Sequence, residues 1–253
     1  MKTQSTQLTL DLRSPSRWGG ARSGAGRRPG PIRRDPHRRR APLAGRHPCH
    51  VTVRVRSDVP SLRTVRLVRE VEASFRRGCE RARFRLVHYS LQANHVHLIV
   101  EAASGLDLAS GMKSIGARLA RAVNRVFGRR GAVLADRYHA HVLRTPHEVR
   151  NALAYVLLNA RRHAAKLGRR LSRARIDPAS SGCWFPGWRG PIPGAPDAPA
   201  VASPRTWLMR VGWLRAGRID PGEIPGRWSR SRAGEATGRR GRRPGETQRA
   251  STR

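Results

Sequence analysis

The sequence predicts an α+β domain, an antiparallel sheet with helices in the order βαββαβα, flanked by basic extensions. Three observations carry this. Regular apolar periodicity, alternately of two and of 3.6 residues, is confined to about residues 48–165. Two β-branched runs meet around Gln92-Ala93-Asn94, as hairpin strands do. Thr145-Pro146-His147-Glu148 supplies an N-cap threonine, a proline at the first helical position and a glutamate at the third, the signature of a capping box.

The elements follow in order. His50-Val-Thr-Val-Arg-Val-Arg56 alternates cleanly and is a strand. Ser61 to about Cys79 is a helix, with Leu62, Val65, Val68, Val71 and Phe75 along one stripe. Phe84–Ala93 and His95–Glu101 are the hairpin strands. Leu106–Phe127 is a helix with Leu108, Met112, Ile115, Leu119, Val123 and Val126 on its apolar face. Arg118, Arg121 and Arg125 share a flank of that helix, either as a nucleic-acid contact or as an ordinary solvated face. Val133–Leu143 is a short strand with an irregular start. The capping box opens a last helix to about Lys166, burying Val149, Leu153, Val156 and Ala160. At 100° per residue, Tyr155, Asn159 and Arg162 project together on another flank.

Outside this domain the composition changes. Residues 1–47 carry 12 Lys/Arg against two Asp and read as a disordered basic arm. Residues 166–226 read as a loosely ordered extension with tryptophan islands, and 227–253 as a disordered basic tail.

The chain carries a formal charge of +36, and only Lys2, Lys113 and Lys166 among its 52 basic residues are lysine. So basic a surface needs a polyanion partner, and nucleic acid is the default. Arginine suits phosphate because its planar fork binds two oxygens at once. Cys49, Cys79 and Cys183 are odd in number and far apart, which argues against a disulfide framework or a zinc ribbon and fits a reducing cytoplasm. The polar N-terminus has no signal core, and no run reaches the ~18 apolar residues of a membrane span. The expected location is the cytoplasm, on the nucleoid, with no membrane partner.

The chemistry concentrates in Asn94-His95-Val96-His97-Leu98-Ile99-Val100. A strand has a side-chain period of two, so His95 and His97 share one face while Val96, Leu98 and Val100 face the core. Two imidazoles on a rigid strand form half of a metal site; a pair of half-exposed structural histidines is the plain alternative. Glu101 shares their face but lies about 13 Å beyond His97 at ~3.3 Å per residue, too far to hold the same ion. His139 and His141 form a second same-face pair, read as DNA-phosphate or surface residues, and His50 reads as structural.

Together these elements resemble the HUH-type single-strand transposases with one catalytic tyrosine, and within them the REP-associated tyrosine transposases. The resemblance rests on Asn94 to Val100, on Ala135-Asp136-Arg137-Tyr138 through Val142-Leu143-Arg144, and on Tyr155-Val-Leu-Leu-Asn159. It implies a ferredoxin-like domain that cleaves and rejoins single-stranded DNA beside a hairpin. It also implies that His95 and His97 hold a divalent ion, Mg²⁺ or Mn²⁺, that Tyr155 attacks, and that Asn159 helps hold the metal. Many members have Gln where this chain has Asn159, one methylene shorter. The chemistry fits these residue types. A divalent ion neutralises phosphodiester charge as a Lewis acid. A tyrosine hydroxyl, ordinarily with a pKa of about 10, needs nearby positive charge to attack. Attack leaves a 5′-phosphotyrosine and a free 3′-OH. Arg118, Arg121, Arg125, Arg137 and Arg162 are the expected nucleic-acid contacts. Tyr138, beside Asp136, Arg137, His139 and His141, is the competing nucleophile. The chain acts as a monomer or homodimer. The rival reading is a domesticated relative that grips structured nucleic acid without cutting it.

Overall fold

The computed structural model describes residues 42–226 apart from Pro193 and Asp197. The tail expected over 227–253, and the arm expected over 1–47 except for residues 42–47, lie outside the described residues.

Five strands form one sheet: β1 (Cys49–Arg54), β2 (Glu80–Arg81), β3 (Phe84–Leu91), β4 (His95–Ala102) and β5 (His139–Val142). Their order is β2-β3-β4-β1-β5, with every neighbouring pair antiparallel. Leaving aside the two-residue β2, the order β3-β4-β1-β5 is the ferredoxin-like one. Helices α1 (Val65–Arg76) and α2 (Gly105–Val126) cover one face. Val51, Val53, Leu86, Tyr89, Leu98 and Val100 of the strands meet Leu67, Val71, Phe75, Met112, Ile115 and Leu119 of these helices in the main core. Helix α2 comes so close to β3 that a β-carbon on Gly111 would sit 2.1 Å from the Phe84 ring.

The other face packs against α3 (Pro146–Leu157). Ile99, Val87 and Leu143 meet Val149, Leu153, Val156 and Leu157 there. The capping box forms as its sequence demands: Thr145 Oγ1 accepts from the Glu148 N–H at 3.1 Å, and Glu148 Oε2 accepts from the Thr145 N–H at 3.3 Å.

Four expectations change. The first helix begins at Val65, after Thr64 caps it by accepting from the Leu67 N–H at 3.3 Å. The strand expected over 133–143 shortens to β5, because the chain before it pairs irregularly with the end of β1: Val133 O accepts from the Arg56 N–H at 2.9 Å and Ala135 N–H donates to Arg54 O at 3.0 Å. The last helix breaks at Leu158 (φ −107°, ψ 18°) and resumes as α4 (Asn159–Lys166). The break turns α4 so that buried Arg161 donates to the carbonyls of Leu171, Ser172, Arg173 and Arg175. In β3, a bulge between Leu86 and His88 shifts the alternation by one residue, so Phe84 and Leu86 before it and Tyr89 and Leu91 after it reach the same core.

The segment expected to be a loose extension is packed. Phe185, Trp188, Leu208, Met209, Trp213 and Ile219 join the core behind α3. Ion pairs and caps fix it in place. Arg63 forms a two-pronged pair with Asp177 at 2.7 and 2.9 Å. Buried Glu101 accepts from the backbone N–H of Arg205 and Thr206 and from the Thr206 hydroxyl, at 2.7 to 2.9 Å, at the start of the short helix α5 (Trp207–Arg210). Among the described residues, no helix is long and apolar enough to cross a membrane.

Candidate metal and nucleophile site

The second face of the sheet carries a polar row that helix α3 only partly covers. The antiparallel registers align it. Thr52 lies opposite His97 on one side and His139 on the other, His50 lies opposite His141, and Arg54 lies opposite His95. Directly opposed residues share a face. Val96, Leu98 and Val100 therefore enter the main core while His95 and His97 face α3.

The two imidazoles converge. His95 Nε2 and His97 Nε2 are 3.0 Å apart, with ring centroids 4.6 Å apart and planes at 84°. Two ligands ~2.1 Å from one ion, at adjacent corners of an octahedron, stand about 3.0 Å apart. The other ends of the rings are anchored. His95 Nδ1 contacts Asn94 Oδ1 at 2.8 Å, and His97 Nδ1 contacts both His50 Nε2 and Thr52 Oγ1 at 3.2 Å. Such outer contacts fix the tautomer of a metal-binding imidazole.

Burial keeps all three rings neutral. It lowers the pKa of His97 to about 2, helped by His50, His95, His163 and Arg162. Burial lowers His95 to about 4, helped by Arg54 and His163, and lowers His50 to about 3, helped by His141 and His139. A neutral imidazole is the form that binds metal.

Tyr155, on α3, closes the site. Its ring centroid lies 5.1 Å from that of His97 and 5.8 Å from that of His50, both edge-on, and the Arg162 guanidinium stands 5.2 Å from its ring centroid. Buried Val149, Leu153 and Val156 on the same helix leave Tyr155 half-buried at the sheet surface. Asn159 follows across the helix break, 1% exposed, and among the described residues its Oδ1 has no hydrogen-bond partner. A buried amide oxygen without a donor is costly and suits a cation. Among the described residues no group of three His, Cys, Asp or Glu side chains has metal-holding geometry.

Tyr138 lies elsewhere. It packs against the main core, with Ala140 and Val142, while His139 and His141 alternate onto the histidine face. The expected arginine contacts also separate. Arg162 is at the site and Arg137 is exposed just before β5. Arg118, Arg121 and Arg125 sit on α2, against the opposite face of the sheet. There Arg118 donates to the carbonyls of Ser74 and Arg77 and Arg125 pairs with Glu70 at 2.5 Å, both tying α2 to the α1 region, while Arg121 is exposed. The partners His50 and Thr52 were hidden in the sequence. Their signal was that His50-x-Thr52 alternates as His95-x-His97 does, but only the β1–β4 register makes them neighbours.

Residues 46–156, from the entry to β1 through Tyr155, match the family model of IS200-like transposases. This segment is similar to IS200-like transposases. A solved structure of the REP-associated tyrosine transposase bound to a REP hairpin is similar over 53% of this chain and 75% of that chain, at 20% identity and a TM-score of 0.39. No curated protein matches the chain. The matched segment contains β1 to β5 and most of α3, and so contains His95, His97 and Tyr155; Asn159 and Arg162 follow it.

Proposed function

We propose that this chain cleaves and rejoins hairpin-associated single-stranded DNA by transesterification through Tyr155. The observation that carries the reading is the juxtaposition of the converging His95 and His97 nitrogens, 3.0 Å apart, with the Tyr155 ring 5.1 Å from that of His97. The IS200-like match and the +36 charge support a DNA substrate.

The roles follow from chemistry. His95 and His97 would hold a divalent ion, Mg²⁺ or Mn²⁺, with Asn159 Oδ1 as a further oxygen donor. When bound, it supplies Lewis-acid neutralisation of the scissile phosphate's non-bridging oxygens. Tyr155 gives up its phenolic proton and its oxygen attacks phosphorus. The P–O3′ bond breaks, leaving a 5′-phosphotyrosine and a 3′-oxygen that takes a proton. The bond count is conserved, so a 3′-OH can reverse the step and join strands. Arg162 places positive charge 5.2 Å from the Tyr155 ring centroid, where it can meet the incoming phosphate. His50 and Thr52 hold the His97 ring so that Nε2 faces His95.

The test incubates the full chain with a labelled hairpin oligonucleotide bearing single-stranded flanks, and with the perfect duplex, in Mg²⁺, Mn²⁺ or EDTA. A covalent protein–DNA band on a denaturing gel is expected with the flanked hairpin and metal, and not with the duplex or EDTA. Tight binding without any adduct overturns cleavage and leaves the non-cleaving binder. Equal cleavage of duplex and single strand overturns the substrate assignment.

A further inference from the structure

A cavity of about 350 Å³ lies between α4 and the segment that follows it, lined, apart from Arg63, by residues after the matched segment 46–156. Arg63, Arg161, Arg169 and Arg175 line it, and Asp177 is the acid among its described lining residues. Asp177 is already consumed by its two-pronged pair with Arg63. Arg161 is only 6% exposed; its guanidinium donates to backbone carbonyls, with Asp220, itself paired to Arg173, acting on it through charge. Its Nε has no hydrogen-bond partner among the described residues. A buried cation hydrogen-bonded to neutral carbonyls retains its charge, and an acid already shared with another arginine leaves positive field for a further anion. Arg169 and Arg175 stand exposed at the same cavity and add to the field.

The cavity adjoins the candidate site. His163 lines it, and the same His163 acts electrostatically on both His95 and His97. Leu157, Leu158 and Ala164 give it an apolar wall. A concave space at the lower end of the roughly 300–1,000 Å³ range of ligand pockets admits one nucleotide but not a duplex, whose phosphates lie on a convex surface.

We propose that this pocket holds a nucleotide of the single strand flanking the scissile phosphate, with its own phosphate toward Arg169 and Arg175 and its base or sugar against the apolar wall. The inference rests on the reading of Tyr155 as a strand-cleaving nucleophile, but its test is binding and needs no cleavage.

The experiment measures fluorescence anisotropy of the full chain in EDTA with two probes, the hairpin with a short single-stranded flank and the same hairpin blunt. For R169A/R175A, affinity for the flanked hairpin falls about tenfold. The slope of log K against log salt shrinks by about 0.7, the value for one single-strand phosphate. Binding of the blunt hairpin is unchanged. A164W, which fills the cavity and leaves its charge, gives the same selective loss, with circular dichroism confirming the fold. R66A/R77A, exposed at the start of α1 and just past its end and not lining this cavity, changes neither probe. No loss, an equal loss on both probes, or the same loss in R66A/R77A overturns the pocket. So does a wild-type thermal shift with inorganic phosphate that R169A/R175A abolishes while flank binding stays intact, since that marks a free-phosphate site. Flank-selective loss in a protein that forms no covalent adduct keeps the pocket and discards the nuclease; an adduct-forming protein without flank selectivity does the reverse.

Discussion

His97 Nδ1 lies 3.2 Å from Nε2 of buried His50, one strand away. If His97 keeps its Nε2 lone pair for a metal, its proton sits on Nδ1 and must be donated inward, to His50 or to Thr52 Oγ1 at the same distance. His50 is thus a positioning residue. His50→Ala is expected to raise the Mn²⁺ concentration for half-maximal adduct formation by about 10- to 100-fold. Hairpin affinity in EDTA should stay near wild type. An unchanged metal requirement would assign His50 to packing alone.

The two tyrosines lie on different faces of the sheet, Tyr155 against the His97 ring and Tyr138 against the main core. Tyr155→Phe removes one oxygen and should abolish the covalent adduct while leaving DNA binding intact. Tyr138→Phe should lower the rate at most a few-fold. An adduct that survives the first change and disappears with the second identifies Tyr138 as the nucleophile.

Asn159 separates stability from activity. Its buried Oδ1 is unpaired among the described residues. Removing an unsatisfied buried oxygen relieves about 1–3 kcal/mol of desolvation penalty. Asn159→Leu should therefore hold Tm at or above wild type while weakening metal-dependent cleavage about tenfold or more. A large drop in Tm with normal cleavage would make Asn159 a structural residue only.

Acid should unfold the domain through its neutral histidines. Burial lowers His88 to about 3 in the folded state, where it contacts Ser181 Oγ at 3.1 Å. An unfolded histidine titrates near 6.5. Between these values the unfolded chain binds a proton that the folded chain does not, so stability rises with pH. The stability is present above about pH 6.5 and is lost as pH falls toward 3. His50, His95 and His97 act in the same direction. Urea unfolding at pH 7 and pH 5 should show a marked loss. His88→Gln should flatten the slope by up to about 1.4 kcal/mol per pH unit. A pH-independent midpoint would show that these rings are not buried neutral.

Gly111 tests how closely α2 approaches the sheet. A methyl there meets the Phe84 ring at 2.1 Å. Overpacking costs about 1–3 kcal/mol and the gain in helix propensity returns up to about 1. Gly111→Ala should thus lower Tm, and Phe84→Leu should partly restore it. A Tm above wild type would mean that the ring moves freely.

Much of this was legible in the sequence because the signals were periodic or local. The alternation at His50–Arg56 and His95–Glu101 set which residues face the core, and the Thr145–Glu148 box set the phase of the helix bearing Tyr155. The rest depended on contacts between distant segments. The Val87 bulge could be read only as a change of phase, from Phe84 and Leu86 to Tyr89 and Leu91. The break at Leu158 has no proline or glycine to announce it; it coincides with Arg161 reaching carbonyls more than ten residues on. Arg118 and Arg125 share a flank as expected, but that flank meets α1. The C-terminal segment looked loose because its tryptophans are isolated in sequence, and they become a core only when assembled behind α3.

That last packing places a delay in the life of the chain. The outer side of the helix bearing Tyr155 is covered by Trp188, Trp213 and Ile219. At ~5–20 residues per second, the ribosome finishes Ile219 roughly 3–12 s after Leu157. Until then the helix has an apolar flank with nothing to cover it. A message cut short in this interval yields a chain that holds His95, His97 and Tyr155 but lacks the cover that keeps their helix seated, and such a chain is prey for proteases.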